Sequence, residues 1–421
     1  MIAFPRSRRG VLLMTSAALV AAGVAAGVVF SGDSGGDSVL SSPDTPRPSQ
    51  PSVGQSRPGS PTPAVTGPTA TAPASSSTDA ERPRAQQPKP ARSATADTPG
   101  GSAGGGAPAT WSGLPWSPAG GVFGAGSVWK LNVSGAPANA KSAALVTTLS
   151  RSVSDRYNGV AAFNVDQYTT NFYTVGPNTP RTNVAFDDCQ QKGYLPAGLT
   201  GSGGQFSDVP IPAGAAASAG TDAELTVYSP STDQLWEFWL AKHTGAGWSA
   251  CWGGRIDHVS RSPGFFTGGF GATATGLPVA GGMISIQDVK SGSINHAMSL
   301  AIPDAATWNN FSYPAQRSDG NNGAADAIPE GTRFRLDPSL DVTKLGLTPV
   351  GVMVARAAQK YGFIVTDQSG AVAVQAESGA AMKAAKGTDP WTALLRGTPS
   401  YQVLTKFPWS KLQALPADYG R

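Results

Sequence analysis

The chain has 421 residues, 52 of them Gly and 35 Pro, and a formal net charge of +4. Residues 31–110 hold 14 Pro, 14 Ser and 11 Gly but no Phe, Trp or Tyr, so they cannot nucleate a core. All ten Trp lie from Trp111 onward, which leaves residues 111–421 to fold and excludes both a wholly disordered chain and a multi-pass membrane protein.

The charge divides unevenly. Arg6, Arg8 and Arg9 contribute +3 before residue 30, residues 31–110 sum to zero, and the folding region carries +1. Nucleic-acid binding needs a basic footprint on the folded domain, and none is present. No nucleic-acid partner is expected.

Residues 1–30 read as an export signal or a signal-anchor. The arginines form a positive n-region, and residues 10–30 carry no charge. Ser7-Arg8-Arg9-Gly10-Val11-Leu12 looks like a twin-arginine signal, and Val24-Ala25-Ala26 offers a small-residue cleavage site. Left uncleaved, residues 10–30 would span about 31 Å as a transmembrane helix and would be the only membrane contact. Either way the remainder is extracytoplasmic, secreted or anchored at the cell surface. Residues 31–110 then form a disordered linker, either a stalk or a neutral spacer. Cys189 and Cys251 are the only cysteines, and in an oxidising compartment they are expected to form one disulfide.

Beyond residue 111 the pattern is short β-type runs between Gly, Pro, Asn and Ser clusters. Residues 223–228 and 235–240 predict a hairpin. Residues 282–289 and 293–302 predict a second around Lys290-Ser291-Gly292, and 363–367 with 371–375 a third. Residues 332–336 predict a short strand. Helices are expected over 138–151 and 349–361, the latter opened by Pro349 and stopped by Gly362. The fold class expected is mainly β: an antiparallel β-sandwich or jelly-roll-like domain with a few packed helices.

The sequence has no phosphate-binding loop, dinucleotide fingerprint or nucleophile elbow. With only His243, His258 and His296, neither a metal site nor a cofactor is expected. Three features remain. Trp236, Trp239, Trp248 and Trp252 fall close together; flat rings either stack on sugars or pack a core. Glu237 lies among apolar neighbours, where burial would raise its pKa toward that of a general acid, with Asp257 or Asp288 as the second carboxylate. The alternative for Glu237 is a strand carboxylate paired with a base. His296 shares a face with Ile294, Met298 and Leu300, as a base for elimination or as a hydrogen-bonded core histidine.

Several stretches resemble a family of exported bacterial proteins, mainly actinomycete, that carries no established activity. They include Val128-Trp129-Lys130-Leu131, Val209-Pro210-Ile211-Pro212, Gly220-Thr221-Asp222, Leu235-Trp236-Glu237-Phe238-Trp239, Gly247-Trp248, and Ile294-Asn295-His296-Ala297. The resemblance covers roughly residues 120–380. More distant members tend to carry histidines near positions 224 and 317, where this chain has Glu224 and Arg317. Glu237 and His296 keep the family's residue types. The expected function is binding or processing of polysaccharide or cell-wall glycan. The alternative is a non-catalytic structural or adhesive surface protein.

Overall fold

The computed structural model describes residues 116–421. The export signal and linker expected before residue 111 lie outside them. Thirteen strands are present among the described residues: β1 (Ala162–Asn164), β2 (Thr170–Thr174), β3 (Ala185–Phe186), β4 (Glu224–Ser229), β5 (Gln234–Trp239), β6 (Lys242–Thr244), β7 (Gly247–Ala250), β8 (Trp252–Asp257), β9 (Met298–Ile302), β10 (Arg333–Leu336), β11 (Phe363–Gln368), β12 (Ala373–Gln375) and β13 (Leu412–Ala414). The α-helices are α1 (Ser142–Asp155), α2 (Val279–Gly282), α3 (Ile286–Ser291), α4 (Pro349–Lys360), α5 (Ala380–Lys386) and α6 (Pro390–Leu394). The domain is therefore mainly β. None of these helices is long and apolar enough to cross a membrane.

The strands form three sheets, ordered β1-β12-β9-β11-β10-β13, β2-β4-β5-β8 and β3-β7-β6. All three are mixed rather than purely antiparallel. β1 with β12, β9 with β11, β2 with β4, and β3 with β7 run parallel. The purely antiparallel arrangement expected from the short β-type runs is therefore not what forms. A parallel pair needs only a long crossover; the one between β2 and β4 contains β3, and the one between β9 and β11 contains β10 and α4.

The hairpin of β4 and β5 forms as its alternation predicts, with Thr226 opposite Glu237. The other two expected hairpins do not. Residues 286–291 are helical, because Ser285 and Asp288 make a reciprocal capping box and Gly292 ends the turn at φ 80°. β11 and β12 do not pair with each other, because β9 lies between them. The helix expected over 138–151 begins at Ser142, after the Asn139 side chain turns back to accept the Lys141 amide at 2.7 Å. α4 keeps its expected start, with Thr348 accepting the Gly351 amide at 3.0 Å.

Alternation places the two faces of the four-stranded sheet in different cores. Tyr173, Leu225, Val227, Trp236 and Phe238 pack into one cluster. Phe172, Leu235 and Ile256 pack on the other side, with Trp129, Phe266, Val279 and Ile364. The third core lies around the six-stranded sheet, covered by Leu145, Leu149, Val350 and Val354 of α1 and α4. A disulfide joins Cys189 to Cys251, as the cysteine count predicts.

Candidate functional site: a carboxylate cluster with an aromatic rim

The residues singled out in the sequence fall in three places. Glu237 is buried, and its two carboxylate oxygens accept the Ala280 and Val279 amides at 2.8 and 2.9 Å. It therefore caps the N-terminus of α2, whose own preceding residue, Pro278, offers no side-chain cap. Burial pushes its pKa up to about 7, with the two amide bonds pulling the other way.

His296 lies just before β9 rather than within it. It is sealed in the core, with Nδ1 2.8 Å from the Ala297 carbonyl and Nε2 3.2 Å from Asp288 Oδ2. Both ring nitrogens therefore face oxygen atoms. Burial alone would raise the Asp288 carboxyl. His296, the Gly120 amide and the Ser285 hydroxyl outweigh it and hold the group below its ordinary range. Asp257 is exposed on the rim of β8, paired with Arg255 at 3.1 Å and across the ladder from Gln234. The register puts Glu237 opposite Gly254, three positions further along.

The tryptophans also separate. Trp236 is buried in the core, and Trp248 is buried with its ring stacked on His243 at 4.8 Å. Trp239 and Trp252 are half-buried and directly opposite each other across β5 and β8, on the face that carries Glu237. The indole N–H of Trp239 donates to Asp222 at 3.3 Å. Phe270 stacks on Trp252, and Lys192 Nζ lies 3.9 Å from the centre of the Trp252 ring. Gly254 makes this packing possible: a β-carbon there would stand 2.9 Å from both Phe266 and Phe270.

This aromatic pair borders a group of acids that sequence spacing does not bring together. Asp319, Glu330 and Asp367 each place a carboxylate oxygen within 4.8 Å of the others. Burial, then the negative charge of Asp319, pushes the Asp367 carboxyl up to about 8. Glu330 rises for the same reasons, burial first and then Asp367 and Asp319. Glu224, at the start of β4, is raised by burial, then by the charges of Asp222, Glu237 and Asp367. The acids thus form a chain from Glu237 through Glu224 and Asp222 to Asp367, ending at exposed Asp319.

Arg317 is the cation of this region, and the charges of Asp367, Glu330 and Asp319 act on it. It gives them no hydrogen bond in this arrangement. Its five N–H donors go to backbone carbonyls: Nε to Ala274, Nη1 to Gly269 and Phe270, and Nη2 to Gly271 and Thr273. The Gly269 carbonyl also accepts the Trp252 indole N–H at 3.2 Å, which ties the rim to the acids. Consequently Glu330 Oε1 and Glu224 Oε2 are buried without a donor.

Glu224 and Arg317 both feel the charge of Asp367 and so belong to this one cluster. Asp222, Asp319, Glu330 and Asp367 were not singled out from the sequence. They come from four separate segments, which no spacing in the sequence brings together. Chemically, such a cluster can accept hydroxyl hydrogen bonds, share protons or hold a cation. No family model, curated protein sequence or solved structure matches the chain.

Proposed function

We propose that the chain is an exported, stalked surface protein of the family it resembles, and that its folded domain binds polysaccharide at the aromatic-rimmed carboxylate cluster. The carrying observation is the loop before Arg317 and Asp319. It exposes two large rings, Trp308 at 49% and Phe311 at 41% of their surface. Large exposed rings are unusual on a folded surface, and beside hydrogen-bond acceptors they match a sugar ring, apolar on its face and polar at its edge. Half-buried Trp239, whose indole N–H donates to Asp222, is a third ring beside an acid.

Binding is favoured over hydrolysis. Glu237 and His296 are buried and spend their hydrogen bonds on backbone groups and Asp288, with no open face for a substrate. A sandwich-like stacking of the two larger sheets belongs to the same reading. It is supported by Leu235 and Ile256 of one sheet sharing a core cluster with Ile364 of the other.

The test uses the full-length chain on a polysaccharide array, with reducing-end and unsaturated-product readouts. Retention on at least one glycan without product is expected. Trp308→Ala and Trp239→Ala should each weaken binding by about tenfold, a loss of roughly 1.4 kcal/mol. A blank array sinks the reading. It would favour an adhesive protein–protein role, for which Tyr194 and Leu195, 58% and 56% exposed and adjacent in sequence, are the supporting surface.

A further inference from the structure

We infer that Asp319, Glu330 and Asp367 form a binding site for one hard divalent cation of the calcium class. Three carboxylate oxygens within 4.8 Å of one another can share an ion held about 2.3–2.6 Å from each. All-oxygen donor sets select Ca²⁺, Mg²⁺ or Mn²⁺ over softer metals.

Acidic residues often gather without binding anything, and the independent sign here is an orphan. Glu330 is fully buried, yet its Oε1 accepts no hydrogen bond; the carboxyl is held only through the Ser318 side chain and a long bond from the Asp319 amide to Oε2 at 3.3 Å. A buried carboxylate oxygen without a donor is costly, and a coordinated cation removes that cost. The nearest positive side chain cannot do so as it stands. All five Arg317 donors are taken by the carbonyls of Ala274, Gly269, Phe270, Gly271 and Thr273. A second buried orphan, Glu224 Oε2, belongs to a carboxylate that feels the charge of Asp367.

The site is also held in place. Asp367 accepts the Ala274 amide at 3.2 Å and the Gln368 amide at 2.9 Å, and Asp319 accepts the Gln368 side chain at 3.1 Å. Asp319 is exposed, which gives the ion a way in and leaves room for water ligands.

The inference does not depend on glycan binding, because the ion is measured directly. Full-length chain stripped with EDTA is titrated with CaCl₂, MgCl₂ and MnCl₂ by calorimetry and melted with and without each ion. One ion per chain is expected, with a dissociation constant of about 10⁻⁵–10⁻³ M, together with a rise in Tm of several degrees. Asp319→Asn sits at the surface and should fold normally, yet it should weaken binding by about tenfold, as one lost ligand predicts. Glu330→Gln should do the same or more. No heat and no Tm change at about 10 mM of any of the three ions, well above the weak end of such sites, would overturn the site. Binding that Asp319→Asn leaves unchanged would place the ion elsewhere and overturn it equally.

Discussion

A β-carbon on Gly281 would stand 2.1 Å from Cε2 of Trp129. The indole of Trp129 is fully buried, and its N–H donates to the Gly264 carbonyl at 2.7 Å, so the ring cannot swing aside without losing that bond. Gly281→Ala should therefore destabilise the domain by about 2–3 kcal/mol, the range of overpacking in a close-packed core. Thermal melting checks this. An unchanged Tm would mean that α2 can shift freely against Trp129.

Glu237→Gln places an amide NH₂ where one of two backbone N–H donors, Val279 or Ala280, now finds an acceptor. One buried donor loses its partner, at a cost of about 1–3 kcal/mol. His296→Ala leaves the buried Asp288 carboxylate without its imidazole and should cost a similar amount. Both variants should melt earlier, while glycan retention per folded molecule stays at the parent level. Lost retention at an unchanged Tm would instead make these residues part of the ligand site.

The pH dependence has a definite sign. Folded Glu237 and Glu377 titrate at about 7 and about 8, both raised first by burial, whereas an unfolded glutamate titrates near 4.3. Between these values the folded chain holds more protons than the unfolded one, so stability falls as pH rises. Asp288 acts oppositely: its lowered pKa lends stability that is lost as pH falls below about 4. In EDTA, Tm should be higher at about pH 5.5 than at about pH 8.5, and the reverse order would contradict the burial of these glutamates.

The Cys189–Cys251 bridge closes a loop across 62 positions. Chain entropy assigns such a loop about 4 kcal/mol. The double variant Cys189→Ser/Cys251→Ser should lose that much in a denaturant titration. The loop it anchors carries Lys192, which covers Trp252, so intrinsic tryptophan emission should change as well. Equal midpoints for both chains would refute the stabilising role.

What the sequence made legible follows from locality. The β4–β5 hairpin, the boundaries of α4 and the paired cysteines rest on alternation, capping and counting, all readable within a few residues. His296 was misplaced onto a strand because Ile294, Met298 and Leu300 alternate with it. Ser285 and Asp288, closing a capping box, turn the preceding stretch into helix instead. Tryptophan spacing shows only that the rings are close in sequence; the Trp239–Trp252 pairing comes from the ladder register. Glu237 is legible as lying among apolar neighbours, but neither its full burial nor its role as a helix cap is, because its partners lie 42 and 43 positions away. Asp319, Glu330 and Asp367 converge only after the sheets have formed, and no periodicity encodes that meeting.

The placement of β9 between β11 and β12 has a consequence for how the chain acquires its shape. β1 pairs with β12, Ala162 against Ala373, and the opposite edge of the same sheet is closed by β13. An emerging chain therefore holds β1 and β9 for many residues before their partners exist, with open edges and no local hairpin to protect them. Such late pairings are slow, and open edges invite neighbours to add. A chain cut before residue 373 would keep the β4–β5 hairpin but have no route to the six-stranded sheet. Its fate should be aggregation rather than a smaller folded domain.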